Sequence, residues 1–497
     1  MKAGSAATRS DRIDWSGHFA PLRLLCLLSC SSTEFVPMPA VNIRIIIIFS
    51  LFCLFFFGIR LRDRILVSSL HRIEQTALIP PSGKLLFEGA MSGMLGVLHN
   101  DPAIKDDYAC YIPSRNQKEY ENSFNNRFDG IGVMLDWQTT ENGVLVLFSF
   151  LRSPAFRAGL RFGDLITAVD GEDVKGKPAG EISGKIRGTT GTKAKLIVER
   201  KDLPQPLSLE VERLPILYDS VEGDRLDEQG NRVFVLETEP EIGYIRIKSF
   251  GDRTFHEMVV ALNQLKNEKL TGLILDVRGN PGGYVDSVIK IANLFLEPPD
   301  SKSVIVKTHY RNSTDPRYAV SGVRLCTLPL VMLIDDQSAS ASEILAGALQ
   351  DYHLARIVGT RSFGKGVVQQ IVPLPVHSGA FQFTNAEYRR PSGKNIHRRP
   401  NSKETDEWGV SPAPEDICPV SQPQQMVQYQ LRDYRSNVLQ RDLPQLIDYF
   451  RSQISTILKS ELPEEESEWT VEGAAPYFDP QLERAIEILK KQTEPQS

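Results

Sequence analysis

The chain has 497 residues, 41% of them hydrophobic and 24% charged, with a formal net charge of −5. That length accommodates two or three domains and a large core, and the charge balance offers no basic stripe for nucleic acid. Eight histidines without an HExxH pattern give a metalloprotease no foothold, and six scattered cysteines without a CxxC pair argue against a disulfide framework or zinc site; no metal or cofactor is expected.

Residues 1–64 read as a leader and membrane anchor. From Ile45 to Ile59 the chain runs IIIIFSLFCLFFFGI, with Arg44 before it and Arg60, Arg62 and Arg64 after it. At 1.5 Å per residue the run is roughly 22 Å long, short of a ~30 Å hydrocarbon core. Residues 41–43 bring it closer to spanning if Arg44 snorkels. No small-residue cleavage site follows, so an uncleaved anchor is expected, with Met38 as an alternative start. The three arginines after the run favour a cytoplasmic C-terminal side by the positive-inside rule.

Residues 65–127 read as a helical segment, with LLFEGAMSGMLGVL (Leu85–Leu98) at helical spacing and Asn100, Asp101 and Pro102 ending it. Residues 128–214 read as a small β-rich module, with strand-like runs at Ile131–Leu135, Gly143–Phe150, Asp164–Gly171 and Lys193–Arg200. Residues 215–425 alternate strands and helices. Gly243–Phe250, Thr271–Arg278, Pro329–Asp335 and Ala355–Thr360 are strands, and Thr271–Arg278 is of the near-continuous apolar kind buried in α/β sheets. Residues 426–497 read as a polar helical segment with an acidic run, ELPEEESE.

The chemistry concentrates at three turns. In PLVMLIDDQSASASEILAGALQD, the small residues Ser338 to Ser342 lie where a strand's C-terminal end meets a helix N-terminus. A serine there projects into the crevice at the strand ends, beside N–H groups that can hold a developing oxyanion. Taken alone, Ser340 equally fits a helix cap. In TRSFGKGVVQQI, 25 residues on, Lys365 stands between two glycines. These let the backbone approach closely and turn the side chain inward, where desolvation lowers a lysine pKa enough for it to act as a base. Gln369 shares the strand face of Lys365 but lies ~13 Å along an extended backbone. RGNPGG (Arg278–Gly283) lacks the residues of a phosphate loop and fits a tight turn offering an N–H to an oxyanion.

SASASEILAGALQD, VGTRSFGKGVVQ, GLILDVRGNPGG and IGYIRIKSF, with YRRPSGKNIH and WGVSP further on, resemble the carboxyl-terminal processing proteases, also called tail-specific proteases. The resemblance runs from Leu85 to Ile417. It implies an α/β fold: a crotonase-like protease core with an inserted β-rich PDZ domain, flanked by the N-terminal membrane anchor and helical terminal segments. By motif position Ser340 matches the nucleophile, Lys365 the general base and Gln369 the residue that positions the lysine. The N–H groups of Gly283 and Ala341 match the oxyanion donors, and Asp351 a supporting aspartate. Within the PDZ-like module Gly130, Ile131, Gly132 and Val133 stand where a carboxylate-binding loop and its strand belong, to which a substrate tail would add as a strand.

The expected activity is thus serine endopeptidase cleavage of proteins with free C-terminal tails. The expected setting is a membrane attached through residues 45–59, with the protease domain outside the cytoplasm, on the periplasmic side, as the resemblance implies. Homo-oligomerisation is left open. Two rivals remain at this level: a tail-binding module with an inert core, and an acyl-CoA enzyme on the same fold.

Overall fold

The computed structural model describes residues 63–136, 141–297, 303–450 and 479–493. The apolar run at 45–59 lies outside them, and among the described residues no helix is long and apolar enough to cross a membrane. Two compact units divide the chain at Leu86 and Phe87. The helix Gly83–Asn100 ends where Pro102 requires. Within the segment read as helical, Cys110–Ile112 is instead a short strand, followed by the helix Ser114–Phe124.

The second unit is organised around a five-stranded sheet: β1 (Val221–Glu222), β2 (Ile242–Ile247), β3 (Gly272–Asp276), β4 (Leu330–Ile334) and β5 (Ala355–Gly359), in that spatial order. β1 is antiparallel to β2, and the rest are parallel. Every residue of β2, β3 and β4 is buried. Both faces of these strands are therefore covered, which is why Thr271–Arg278 reads as a near-continuous apolar run and not as an alternating one. On one face Ile245, Leu275, Met332 and Ile357 pack with the helices α1 (Thr254–Leu265), α2 (Val285–Ala292) and α3 (Ala341–Asp351). On the other, Tyr244, Ile274, Val331 and Val358 meet Ala485, Ile488 and Leu489 of α5 (Pro480–Thr493), the last helix of the chain.

A second sheet stands beside this core. Its long strand Ala380–Arg389 pairs with Val367–Pro373 along one edge, and with Cys110–Ile112 and Val304–Tyr310 along the other. The β-rich module has a sheet ordered Val133–Leu135, Val144–Ser149, Leu165–Val169, Lys193–Glu199, Leu207–Glu212, with its own core of Val144, Val146, Ile166, Ile182, Leu196 and Val198. The chain enters and leaves it through an antiparallel pair, Arg127–Gly130 with Leu214–Leu217.

Helix α4 (Gln422–Asn437) ties module and core together. Its Tyr434 packs edge-on against Phe148 of the module and against Phe450. On the core side Arg432 donates to Asp276 Oδ2 at 2.7 Å and Arg435 donates to Asp224 at 2.6 and 2.8 Å.

Candidate active site

Three adjacent parallel strands, β3, β4 and β5, deliver the three turns to one end of the sheet. Asn280 knits the first two turns together. Its carbonyl accepts from the N–H of Ala339 and the hydroxyl of Ser342, both at 3.0 Å, and its side-chain oxygen accepts from the N–H of Gly282 at 2.8 Å. The approach is close enough to demand glycine. A Cβ on Gly282 would stand 2.7 Å from Cβ of Ser340 and 3.0 Å from the Ala341 nitrogen, at a backbone φ of +104°.

Of the serines in this turn, Ser338 donates to the Val277 carbonyl at 2.9 Å and Ser342 is held by Asn280. Ser340 differs. Its backbone sits at φ 56°, ψ −112°, far from the extended conformation of an ordinary helix cap. A non-glycine residue held there costs on the order of 1–3 kcal/mol, the kind of strain that clusters at active sites and turns a nucleophile out of a strand–helix elbow. Beside it, the N–H groups of Gly283 and Ala341 donate to no other group among the described residues, while their neighbours are engaged: Tyr284 N–H donates to the Phe250 carbonyl at 2.7 Å and Ser342 N–H to Ala339 at 3.1 Å. Two unspent donors beside a serine hydroxyl form an arrangement able to stabilise an oxyanion.

Lys365 follows β5 in a loop whose glycines have no room for side chains. A Cβ on Gly364 would lie 2.7 Å from Cβ of Arg398, and one on Gly366 would lie 2.3 Å from the His397 nitrogen. Burial lowers the Lys365 pKa, opposed by the charge of Glu343. Its Nζ has no hydrogen-bond or ion-pair partner among the described residues and lies 4.4 Å from the centroid of the Tyr108 ring. The Gln369 amide donates to Thr384 Oγ1 at 3.5 Å, so the structure does not bring it to the lysine amine. Asp351, at the far end of α3, pairs with Arg390 and accepts from the N–H of Ser392 at 3.0 Å.

Glu343 is absent from the set read out of the sequence, yet it joins the loops. Oε2 accepts from the N–H groups of Ser340 and Lys365 at 2.8 Å each, and Oε1 from Gly364 N–H at 2.7 Å and Ser362 Oγ at 2.6 Å. Its burial is complete and raises its pKa to about 7, against the lowering effect of those four donors. The Ser340–Glu343 stretch has the S-x-x-E spacing of a capping box, the one local signal that pointed to it.

Behind the Arg278–Gly283 turn lies a buried charge network. Arg278 donates its Nε and backbone N–H to Asp276 Oδ1 at 3.0 Å each and NH1 to Asp479 at 2.6 Å and Gln481 at 2.9 Å. Asp276 also accepts from Tyr244 and Arg432 at 2.7 Å each. Burial alone would raise the Asp276 carboxyl; Arg278 and Arg432 overcome it and hold it well below the usual carboxylate range.

In the β-rich module, Gly130 ends its strand and Gly132 takes φ +81°. The Ile131 carbonyl accepts from Ala155 N–H at 2.9 Å, and the Gly132 carbonyl from Phe150 N–H and Ser153 Oγ at 3.0 Å each. Val133 opens the strand at the edge of the sheet.

Comparison with known proteins identifies the family. A family model described as peptidase family S41 matches residues 241–412, and a PDZ-domain model matches residues 151–200. The carboxy-terminal-processing protease of Bartonella bacilliformis is 34% identical over 333 residues, covering 66% of this chain and 70% of that protein. Carboxy-terminal processing protease CtpB of Bacillus subtilis is 34% identical over 314 residues, covering 63% and 61% respectively. Among solved structures, a photosystem II D1 C-terminal processing protease is 25% identical, covers 67% of this chain and 82% of that one, and has a TM-score of 0.39. The chain belongs to peptidase family S41, serine-type peptidases, and carries a PDZ domain.

Proposed function

We propose that this protein is a serine endopeptidase that cleaves proteins near their C-termini, with Ser340 as nucleophile and Lys365 as general base. The observation that carries the reading is the backbone of Ser340 at φ 56°, packed against Gly282 with the Gly283 and Ala341 N–H groups unspent beside it. Neutral Lys365 takes the hydroxyl proton as Ser340 Oγ bonds to the scissile carbonyl carbon. The oxyanion accepts from Gly283 and Ala341. The C–N bond then breaks, the amine leaves with the proton from Lys365, and water hydrolyses the acyl-enzyme. Gln369 serves in this scheme by fixing the strand Val367–Pro373, which follows the Lys365 loop, to Thr384.

The PDZ domain would capture the substrate tail. An open edge strand beginning at Val133 and a left-handed Gly132 beside it support addition of a peptide strand, with its terminal carboxylate at Gly130–Gly132. The apolar run 45–59 supports membrane attachment. The resemblance to tail-specific proteases, against Arg60, Arg62 and Arg64, is what favours a peptidase outside the cytoplasm, and proteolysis of intact cells against lysed cells tests that side. For the chemistry, Ser340→Ala and Lys365→Ala are each expected to abolish hydrolysis of an unfolded reporter with an apolar tail while melting as wild type. Hydrolysis retained by either purified variant would sink the assignment.

A further inference from the structure

The stretch between the N-terminal helix and the PDZ domain has no role in the scheme above, yet it reaches the general base. Tyr108 presents its ring to Lys365 Nζ at 4.4 Å from the centroid. The seat is built. The Tyr108 carbonyl accepts from Gln382 Nε2 at 2.9 Å, and its N–H donates to Asp106 Oδ1 at 3.1 Å. Asp106 in turn accepts from the N–H and hydroxyl of Thr384 at 2.7 and 2.9 Å. Two residues on, Cys110–Ile112 pairs with Ala380–Gln382. The ring is thereby pinned to the strand beside the one that follows Lys365, while Gln369 is turned to Thr384.

We propose that Tyr108 is a positioning residue for the reaction, its ring face seating the Lys365 amine at the nucleophile turn. The inference rests on the Ser–Lys reading. A ring face suits both halves of a proton shuttle: it excludes water from the amine, which favours the neutral base, and it then accommodates the ammonium that forms once the serine proton has moved.

The charged and titratable groups on the surrounding elements are Glu343 on α3, Asp106 and Asp107 beside the ring, Glu387 on the neighbouring strand, and His397 and Arg399 on the loop against Gly366. Of these Glu343 is the one whose charge acts on the amine. Burial first, then the charges of Asp107, Glu343 and Asp106, raise the Tyr108 phenol, so the ring stays neutral across the working range.

The test is the pH profile of kcat/KM on the unfolded reporter with full-length protein. Removing the ring rehydrates the amine and raises its pKa, so Tyr108→Ala is expected to shift the acidic limb to higher pH and to lose about tenfold or more near neutrality. Tyr108→Phe keeps the ring face and is expected to stay within about twofold, with the limb unmoved. Should Tyr108→Ala misfold, Tyr108→Leu fills the space without a π face and should lower kcat with KM unchanged. An unshifted limb or higher activity in Tyr108→Ala, wild-type kcat in Tyr108→Leu, or Tyr108→Phe behaving as Tyr108→Ala would overturn the proposal. Ser340→Ala and Lys365→Ala run alongside separate the two claims. Activity in either removes the underlying reading, whereas inactivity in both with an unshifted Tyr108→Ala removes only the role of Tyr108.

Discussion

The backbone N–H groups of Ser340 and Lys365 donate to one oxygen atom, Oε2 of Glu343, at 2.8 Å each. The Ser340 loop and the Lys365 loop, which leave different strands, are thus held at a fixed separation by a single carboxylate. Glu343→Gln places an amide NH₂ where two N–H or O–H donors now point. Each buried donor left without an acceptor costs about 1–3 kcal/mol, and misalignment of the two loops should lower kcat/KM roughly five- to a hundredfold. Loss of the Glu343 charge also removes what raises the Lys365 pKa, so the acidic limb of the surviving activity should move to lower pH. A variant with full activity and an unmoved limb would show that the bridge has no bearing on catalysis.

The same carboxyl makes stability depend on pH. Its folded value of about 7 lies above the ordinary 4.5, so the folded state holds a proton that the unfolded chain releases earlier. The resulting stabilisation is fully present below pH 4.5 and is lost as pH rises through about 7. Relative to Glu343→Gln, which cannot titrate, the wild type should lose on the order of 3 kcal/mol across that window. Urea unfolding of both proteins at pH 4.5, 6 and 8 measures it; a constant difference would contradict the assignment.

Gly282→Ala tests the packing of the oxyanion turn. The new methyl would meet the Ser340 Cβ at 2.7 Å and the Ala339 carbonyl oxygen at 2.9 Å, both on a segment anchored by Asn280, at a φ of +104° that alanine rarely adopts. The turn must move, and Gly283 N–H moves with it. Displacing one oxyanion donor costs about 10²–10³ in kcat, so the expected outcome is a kcat loss of that order with a smaller change in KM, read by steady-state kinetics.

These residues show how far a linear reading reaches. The three turns were legible because each is a cluster of small residues at the end of an apolar strand, and parallel neighbours deliver such ends to one place. Ser340 reads as cap or nucleophile alike, since the two share a position; its backbone at φ 56°, ψ −112° is a feature that no linear reading supplies. Lys365 and Gln369 share strand parity, but parity says nothing of the adjacent strand, whose Thr384 takes the Gln369 amide. Tyr108 and Asp479 left no local trace. The first lies 257 residues before the lysine it touches, the second 201 residues after Arg278. The last described helix read as merely polar, because the role of Leu482, Ala485, Ile486, Ile488 and Leu489, which pack under the sheet, depends on strands far upstream.

The buried network under the oxyanion turn gives a stability prediction. Arg278→Met removes the charged partner of Asp479 and two of the five donors to Asp276, the backbone N–H of residue 278 remaining, and so leaves carboxylates buried without full compensation. Breaking such a pair by removing one member costs about 3–5 kcal/mol. The double variant Arg278→Met/Asp479→Leu restores charge balance at that end and should recover part of the loss. Chemical denaturation of the single and double variants decides it, and additive losses would speak against a coupled pair.

Helix α4 makes the last prediction, because it touches both domains through different side chains. Tyr434 meets Phe148 of the PDZ domain, with ring centroids 6.3 Å apart, while Arg432 and Arg435 on the same helix hold Asp276 and Asp224 of the core. Truncating a buried aromatic costs about 3–5 kcal/mol, and here the loss falls on the junction and not on either domain's own core. Tyr434→Ala should therefore leave both cores intact while freeing the PDZ domain about the pair Arg127–Gly130 and Leu214–Leu217. Limited proteolysis should cut the variant near that pair well before wild type. If tail capture feeds the active site through this junction, KM for tailed substrates should rise more than kcat falls. Wild-type resistance to proteolysis together with an unchanged KM would show that α4 does not fix the domains to each other.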